Sequence, residues 1–389
     1  MAKFATRMTL AASVILAATA PSFADEELKI GAIAPLSGGG SAWGLGLVRG
    51  VELAMDVINS DGGITVEGKT YKLSVLPFDN MYNATEAKIA AERLVDQEKV
   101  KFIMGPIGSP GGLGSIPVTQ PAKVIQFLDG YAPGILKNEW NGSHVFRIAI
   151  TNREIANAFV GWVKKEMPDV KKVGLIAPND AVGQMVTPYL IKTYEKAGIE
   201  VWADYYERGT KEFTPLLLRM LAKGVDLFDL NANPPGEAGL LIKQAREIGY
   251  RNPIVQSGGA GIDEIIDIAG AAAEGFIKYD SFDDQAPGSK RILDAYAKKY
   301  TGPMSSVAPN YYNATMILAE AIRRANSLDT DKVRDEMEKL AGWESPIFGE
   351  VVWTGKEDYG VNHQILLPFY LKQVENGKSR TIATISPTS

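Results

Sequence analysis

A strand-then-helix pattern runs along this chain twice, and it leaves few folds open. Apolar stretches of strand length end in turns rich in glycine or asparagine, and stretches with helical periodicity follow them. The first series begins at residue 28, and the second begins near Asn152. A helix between consecutive strands makes those strands parallel. We therefore predict an α/β protein with two doubly wound parallel sheets, which also suits a length of 389 residues as two domains.

The predicted elements can be bounded from the sequence. The strands of the first series are the apolar runs at 28–36, 71–79, 100–105 and 124–129. Those of the second series lie at 171–180, 199–206, 225–233, 252–259 and 275–282. Later helices are predicted at 288–300, 307–326 and 330–341, with late strands at 349–353 and 365–374. Asn83 precedes Glu86 in a capping-box-like pattern, and Thr214 before Pro215 predicts a second helix cap.

The N-terminal residues predict export. Lys3 and Arg7 precede the apolar core "MTLAASVILAATA", and small residues follow at Ser22 to Ala24. This is the pattern of a secretory signal peptide over residues 1–24, cleaved after Ala24. The core is shorter than the roughly 20 apolar residues of a membrane span. Since the chain has no cysteine, it has no lipid-modified anchor either, and we predict a periplasmic protein.

The composition argues against several classes of function. A formal net charge of −5 gives no electrostatic footprint for nucleic acid. His144 and His363 are far apart in sequence and each lacks a metal-binding motif, and no nucleophile elbow is present. We therefore predict no enzyme activity, no metal and no cofactor. A secreted enzyme or the sensing domain of a regulator remains the alternative from another class.

The glycine-rich segment "FIMGPIGSPGGLGS" at 102–115 resembles a phosphate loop but fits no nucleotide motif. No lysine follows its glycines before Lys123, and their spacing differs from the dinucleotide fingerprint. The Gly44-Leu45-Gly46 start has Arg49 where that fingerprint requires glycine. A strand that ends in bare backbone amides can instead hold one carboxylate, with Ser109 and Gly111 as the amides to test because Pro110 has none.

Doubly wound sheets bind ligands at the carboxyl ends of their strands, and a cleft between two such domains is a common small-molecule site. The turns to inspect are 37–44, 79–82, 105–112, 129–134, 179–183, 231–236 and 257–262. Candidate ligand-binding residues in the second half of the chain are Asn231, Asn233, Gly258, Gly259 and Phe282.

An ordered set of segments resembles the branched-chain amino-acid type of periplasmic solute-binding proteins, the receptors of ABC importers. The set covers most of residues 28–355 and includes "LKIGAIAPLSGGGSAWGLGLVRGVELAMDVINSDGGI", "FIMGPIGS", "HVFRIAITN", "VGLIAPNDAVGQ" and "DYYERGTKEFTPLLLRML". The resemblance implies a type I binding fold, with two lobes joined by three crossovers. Lobe one would be 25–151 plus 281–353, and lobe two 152–280 plus 354–389. The lobes would close on one ligand and be recognised by membrane permease subunits, and we expect a monomer.

The resemblance also carries over ligand loops. The aromatic residue after the first strand matches Trp43, and the serine loop matches Gly108, Ser109 and Pro110. The loop after the fourth strand reads Asp129, Gly130, Tyr131, Ala132 and Pro133.

Three departures concern the ligand. Amino-acid binders place a glutamate where this chain has Gly258 or Gly259, a tyrosine where it has Val182, and a threonine where it has Tyr131. An uncompensated buried ammonium costs several kcal/mol. We therefore predict a small organic carboxylate, with an aromatic acid first. An aliphatic or branched-chain amino acid or amide remains the alternative, with Asp129 receiving the ammonium.

Overall fold

The computed structural model describes residues 26–137, 139–140, 143–231, 233–259, 261–286 and 288–385. The predicted signal peptide lies outside these residues. The described strands form an eight-stranded sheet, a seven-stranded sheet and a two-stranded ribbon. Within the described part of the chain, no helix is long and apolar enough to cross a membrane.

The first sheet is built mainly from the N-terminal part of the chain. Its strands are β1 (Glu26–Ala34), β2 (Ile64–Val66), β3 (Lys69–Asp79), β4 (Phe102–Ile107), β5 (Ile125–Asp129) and β6 (Val145–Arg147). β1 pairs in parallel with β3 and β4, and β5 pairs in parallel with β4 and β6. β2 is an antiparallel edge strand on β3. The connecting helices are α1 (Ser41–Ser60), α2 (Ala84–Glu92) and α3 (Ser109–Thr119).

The second sheet follows after helix α4 (Asn152–Glu166). Its parallel strands are β7 (Lys172–Pro178), β8 (Glu200–Tyr206), β9 (Leu227–Asp229), β10 (Ile254–Gln256) and β11 (Ile277–Asp280). Its helices are α5 (Ala181–Met185), α6 (Thr187–Lys196), α7 (Thr214–Leu221), α8 (Pro235–Glu247) and α9 (Ile262–Ala269).

The rest of the chain returns to each sheet in turn. Helices α10 (Ser289–Lys299), α11 (Val307–Ala325) and α12 (Thr330–Glu338) precede the ribbon of β12 (Glu344–Ser345) and β13 (Gly349–Glu350). The last elements are β14 (Trp353–Thr354), α13 (Lys356–Tyr359), β15 (Gln364–Ile365), β16 (Phe369–Glu375) and β17 (Lys378–Ile385). β14 and β15 join the first sheet, whereas β16 and β17 join the second. The chain thus passes between the sheets three times, and the predicted α/β fold class is confirmed.

The last change from the first sheet to the second occurs later in the chain than the lobe boundary predicted at 353/354. Gln364 of β15 pairs with Arg147 of β6, so residues up to 365 belong to the first sheet. The change of sheet falls between Ile365 and Phe369. A strand of two residues has too short a pattern to be recognised in sequence, which explains the misplaced boundary.

Burial explains why the central strands read as continuous apolar runs. Every residue of β4 and of β5 is buried, as expected for strands covered on both faces by helices. On one face, α1 packs against α11. The buried core holds the strands of the first sheet in place. The loops that follow the carboxyl ends of these strands lie on the side that faces the second sheet.

Two cap predictions have different outcomes. The Asn83 side chain accepts a hydrogen bond from the Glu86 amide at 2.8 Å, as predicted. The predicted cap at Thr214 is wrong, because α7 begins at Thr214 itself and its N-cap residue is Phe213. The Gln244 side-chain oxygen accepts from the amides of Phe213 (2.6 Å) and Thr214 (3.1 Å) in place of a local cap.

Candidate functional site

The carboxyl ends of the strands of both sheets surround one cavity. It encloses about 340 Å³ of space not filled by protein atoms, the mouth included. Its wall is formed by Trp43, Tyr82, Ile107, Gly108, Ser109, Asp129, Gly130, Tyr131, Val182, Gly259 and Val307.

The wall contains seven residues that the sequence predicted as ligand-binding: Trp43, Gly108, Ser109, Asp129, Gly130, Tyr131 and Gly259. Tyr82, Ile107 and Val307 were not predicted, and Val182 was noted only as a departure from the family pattern. Tyr82 lies in the turn at 79–82 that the strand-end rule had selected. Val307 is the first residue of α11 and follows no strand of the sheet, so that rule could not find it.

Ser109 is the first residue of α3 and is fully buried. Its side-chain oxygen accepts hydrogen bonds from the amides of Tyr131 at 3.0 Å and Ala132 at 2.9 Å. A serine hydroxyl has two acceptor lone pairs and one donor. Because the two amides occupy the lone pairs, the hydroxyl hydrogen is left to donate. A ligand carboxylate in the cavity is a suitable acceptor.

The backbone around Ser109 adds to this donor. α3 is 11 residues long, and its N-terminus, the positive end of its dipole, lies at the cavity. Gly108 precedes it with φ of +93°, and a Cβ there would lie 2.6 Å from the Tyr82 ring. A residue with a side chain would therefore displace Tyr82 from the wall. Glycine at 108 permits both the turn into the helix and the close aromatic contact.

Asp129 ends β5 beside this helix, and its carbonyl accepts a hydrogen bond from the Gly108 amide at 2.7 Å. Burial raises the pKa of its carboxyl to about 7, while Arg147 and Lys278 act in the opposite direction. Among the described residues, no hydrogen-bond donor is recorded for its side chain. Its carboxyl therefore faces the cavity as an acceptor when ionised and as a donor when protonated.

A second buried aspartate shows a different environment. Asp229 ends β9 and accepts hydrogen bonds from the Tyr194 hydroxyl at 2.9 Å, the Asn231 amide at 2.8 Å and Ser257 at 3.1 Å. Burial raises its pKa to about 6, and these donors oppose the shift. Asp229 is thus satisfied inside its own lobe, which Asp129 is not. The contrast indicates that Asp129 is available to a ligand.

Aromatic side chains supply much of the remaining wall. The rings of Trp43 and Tyr82 lie 5.9 Å apart at an interplanar angle of 43°. Tyr131 packs in a small apolar cluster with Val182 and Val186. Flat aromatic faces at these separations favour offset or edge contacts with another ring.

The two lobes touch each other directly across the cavity. The Tyr131 hydroxyl accepts a hydrogen bond from the Gly259 amide at 2.8 Å. Arg208 of the second lobe lies over the Tyr82 ring, 4.8 Å from its centroid, and also forms ion pairs with Asp180 and Glu237. These contacts require the closed arrangement of the lobes.

Six predicted residues lie outside the cavity wall. Pro110 lines a separate cavity near Arg208, and Gly111 packs against Asn80 and Pro106.

The other four turn into the protein. Asn231 donates to Thr187, and Asn233 accepts from the Tyr206 hydroxyl at 2.7 Å. The Gly258 amide donates to the Asn231 carbonyl and its carbonyl accepts from the Gln256 side-chain amide, and Phe282 belongs to an apolar cluster beside α10. Their place after a strand put them at the correct edge of the sheet, but it did not determine whether they face the cavity.

The chain resembles known proteins over nearly its whole length. A family model described as "Periplasmic binding protein" matches residues 27–379. A leucine-, isoleucine-, valine-, threonine- and alanine-binding protein of Pseudomonas aeruginosa is 27% identical over 343 residues, 84% of this chain and 86% of the relative.

Solved structures agree with this. A leucine-binding protein from Thermotoga maritima superposes with a TM-score of 0.81 at 25% identity, covering 92% of this chain and 99% of the other. A solute-binding protein of an ABC transporter from R. palustris, solved with benzoate, has a TM-score of 0.79 at 20% identity, covering 93% and 97%.

Proposed function

The chain belongs to the periplasmic binding protein family, in its branched-chain amino-acid type, and on that premise we propose that its ligand is a small aromatic carboxylate. It is a solute-binding receptor of the ABC-transporter kind. In the proposed cycle, the protein closes on its ligand in the periplasm and membrane permease subunits recognise the closed form. The observation that carries the proposal is the Ser109 hydroxyl, whose acceptor positions are filled by the amides of Tyr131 and Ala132 and whose hydrogen is left to donate.

The proposed carboxylate position is the N-terminus of α3. Ser109 donates a hydrogen bond there, and the helix dipole favours a negative charge at this end. Arg147 and Lys278 lie near enough to lower the pKa of Asp129, so two positive charges act on the Asp129 end of the cavity. This combination favours an anionic ligand.

The proposed ring position is the aromatic part of the wall. Trp43, Tyr82 and Tyr131 offer flat faces, and Ile107, Val182 and Val307 fill the remainder with apolar groups. A single aromatic ring matches these faces and the modest size of the cavity. Val182 leaves space in the cavity that a tyrosine at this position would fill.

The proposal also accounts for the wall near Gly259. Gly259, rather than Gly258, lines the cavity. A Cβ at Gly259 would lie 3.3 Å from the Trp43 ring, at a residue whose φ is +73°. A side chain at this position would press on the Trp43 ring, and glycine leaves this side of the cavity without a carboxylate to receive an ammonium. That absence disfavours an amino acid.

A second candidate ligand is an aliphatic amino acid, and Asp129 is the observation that favours it. When ionised, its carboxylate could pair with an ammonium from the other side of the cavity. The relative from Pseudomonas aeruginosa is named for leucine, isoleucine, valine, threonine and alanine, and the R. palustris neighbour was solved with benzoate. The fold accommodates both classes of ligand, so the choice depends on the wall.

A thermal-shift screen separates the two candidates. Benzoate and 4-hydroxybenzoate are compared with leucine and isoleucine on the wild type, Ser109→Ala and Ser115→Ala. Ser115 is a matched control, because it is a buried, hydrogen-bonded serine of the same helix that does not line the cavity. We expect the benzoates to stabilise the wild type and Ser115→Ala, and to stabilise Ser109→Ala much less. Stabilisation by the amino acids alone would refute the aromatic-acid proposal.

A further inference from the structure

Asp129 lies beside the proposed position of the ligand carboxylate, where two buried negative charges would meet. Ser109 follows β4 and Asp129 ends β5, and the two strands are hydrogen-bonded neighbours. Adjacent strands lie about 4.8 Å apart. A ligand carboxylate that accepts from Ser109 therefore lies close to the Asp129 carboxyl. Two carboxylates at such a distance do not both stay ionised in a buried site, and they share one proton instead.

The groups that face Asp129 do not remove this conflict. Arg147 approaches from β6 and Lys278 from β11, and both favour the ionised form. The neutral phenols that interact with it are Tyr82, Tyr131, Tyr279 and Tyr311. Burial raises the pKa of each phenol, so all four stay protonated near neutral pH.

Two further groups, Lys278 and its neighbour Glu264, have pKa values shifted toward neutral pH. Burial lowers the pKa of Lys278 to about 8, while Asp280 and Glu264 oppose the shift. Burial also raises the pKa of Glu264 to about 7. Two of the three N–H donors of Lys278 bind the carbonyls of Gly259 and Tyr279. Asp129 also acts to raise the Lys278 pKa, but no hydrogen bond or ion pair joins the two side chains among the described residues. The Asp129 carboxylate thus has no fixed cationic partner among the described residues.

We propose that Asp129 binds the ligand as a carboxylic acid, donating one hydrogen bond to the ligand carboxylate, so that the closed cleft takes up one proton with each ligand. This inference rests on the proposed function. The proton comes from solvent and ends between an Asp129 Oδ atom and a ligand carboxylate oxygen. Asp129 then becomes a specificity determinant, because the neutral acid favours a carboxylate and the ionised form an ammonium.

The proposal predicts a definite pH dependence. With a carboxyl pKa of about 7 in the closed cleft, only the protonated fraction of the closed form is ready to bind. The apparent Kd for an aromatic carboxylate should therefore rise about tenfold between about pH 6 and about pH 8. The affinity is highest below the pKa and falls as pH rises through it.

Calorimetric titration with benzoate tests this in the full-length mature protein. The wild type, Asp129→Asn and Asp229→Asn are titrated at about pH 6 and pH 8, and near pH 7.5 in phosphate and in Tris, whose ionisation enthalpies differ. Asparagine mimics the protonated acid, because its N–H₂ donates. We expect proton uptake and the tenfold change in wild type and Asp229→Asn, and neither in Asp129→Asn.

The outcomes separate the two proposals. Benzoate binding without proton uptake, or an unchanged pH dependence in Asp129→Asn, overturns the proton-linked role and leaves the proposed function standing. No benzoate binding to wild type even at about pH 6 overturns the proposed function itself. Leucine binding that Asp129→Asn abolishes overturns both, because Asp129 then serves an ammonium in its ionised form.

Discussion

The Tyr131 hydroxyl accepts a hydrogen bond from the Gly259 amide at 2.8 Å, and this bond joins the end of a strand in one sheet to the end of a strand in the other. Both residues also line the cavity. The same contact therefore closes the cleft and forms part of its wall. Enclosing the ligand and closing the lobes therefore depend on the same hydrogen bond. Removing the Tyr131 hydroxyl should weaken the closed form without affecting the open form.

Tyr131→Phe should weaken ligand binding. In the open form water can hydrate the Gly259 amide, whereas in the closed form of the variant that amide is buried without a partner. Such a group costs about 1–3 kcal/mol, so we expect Kd to rise between about fivefold and about a hundredfold. Calorimetric titration measures it. Tyr194→Phe is the control, since its hydroxyl bonds Asp229 inside one lobe and its loss should lower only thermal stability.

Tyr82 variants test the contact with Arg208. Tyr82→Leu removes the ring beneath the guanidinium, an interaction worth about 0.5–2 kcal/mol, and should reduce ligand affinity accordingly. Tyr82→Phe keeps the ring and should bind nearly as well as wild type. Equal losses in the two variants would mean that the hydroxyl matters and the stacked ring does not.

Gly259→Ala should lower both the stability of the protein and its affinity for ligand. The positive φ costs an alanine about 1–2 kcal/mol in either form of the protein. The contact with Trp43 adds a cost in the closed form only, because that contact crosses the cleft. Gly249→Ala is a matched control, with φ of +88° and open space around its added Cβ. It should lower the melting temperature and leave Kd unchanged, and a parallel loss of affinity would contradict this account.

Asp129→Asn should stabilise the ligand-free protein at alkaline pH. Burial raises the folded-state pKa from 3.8 to about 7, so the wild type loses stability as pH rises from the unfolded pKa through the folded one. Asparagine removes that loss. Relative to wild type, we expect a gain of about 2–3 kcal/mol in the free energy of unfolding at pH 8 over pH 5. Denaturant unfolding at both pH values measures it.

Asp229→Asn provides the comparison for that experiment. Its carboxylate accepts hydrogen bonds from Tyr194, Asn231 and Ser257, so the substitution should destabilise the protein at both pH values. If Asp129→Asn behaved in the same way, Asp129 would have donors within its own lobe and would not be available to a ligand.

The sequence predicted the sheets well because strands buried on both faces read as apolar runs, as β4 and β5 do. It also placed Ser109 and Asp129 at the cleft, because Ser109 follows β4 and Asp129 ends β5, and both strands end at the cavity. It did not predict α3, since Gly111, Gly112 and Pro117 are poor helix formers. In this protein, tertiary packing outweighs that propensity.

The rest of the site depends on contacts between distant parts of the chain. Tyr82 joins the wall because Arg208 and Gly108 hold its ring there, and Val307 joins it from a helix that follows no strand of the sheet. Asn233, which follows β9 as Ser109 follows β4, instead bonds Tyr206 inside its lobe. A strand-end position does not determine which way a side chain points, so these residues could not be assigned from sequence.

The central claim is that this cleft holds an aromatic carboxylate and not an amino acid. The most direct measurement is a pair of separate calorimetric titrations of the ligand-free mature protein near pH 6, one with benzoate and one with leucine. We predict saturable binding of benzoate at one site per chain and no heat of binding from leucine. Saturable binding of leucine, with benzoate inert, would contradict the account.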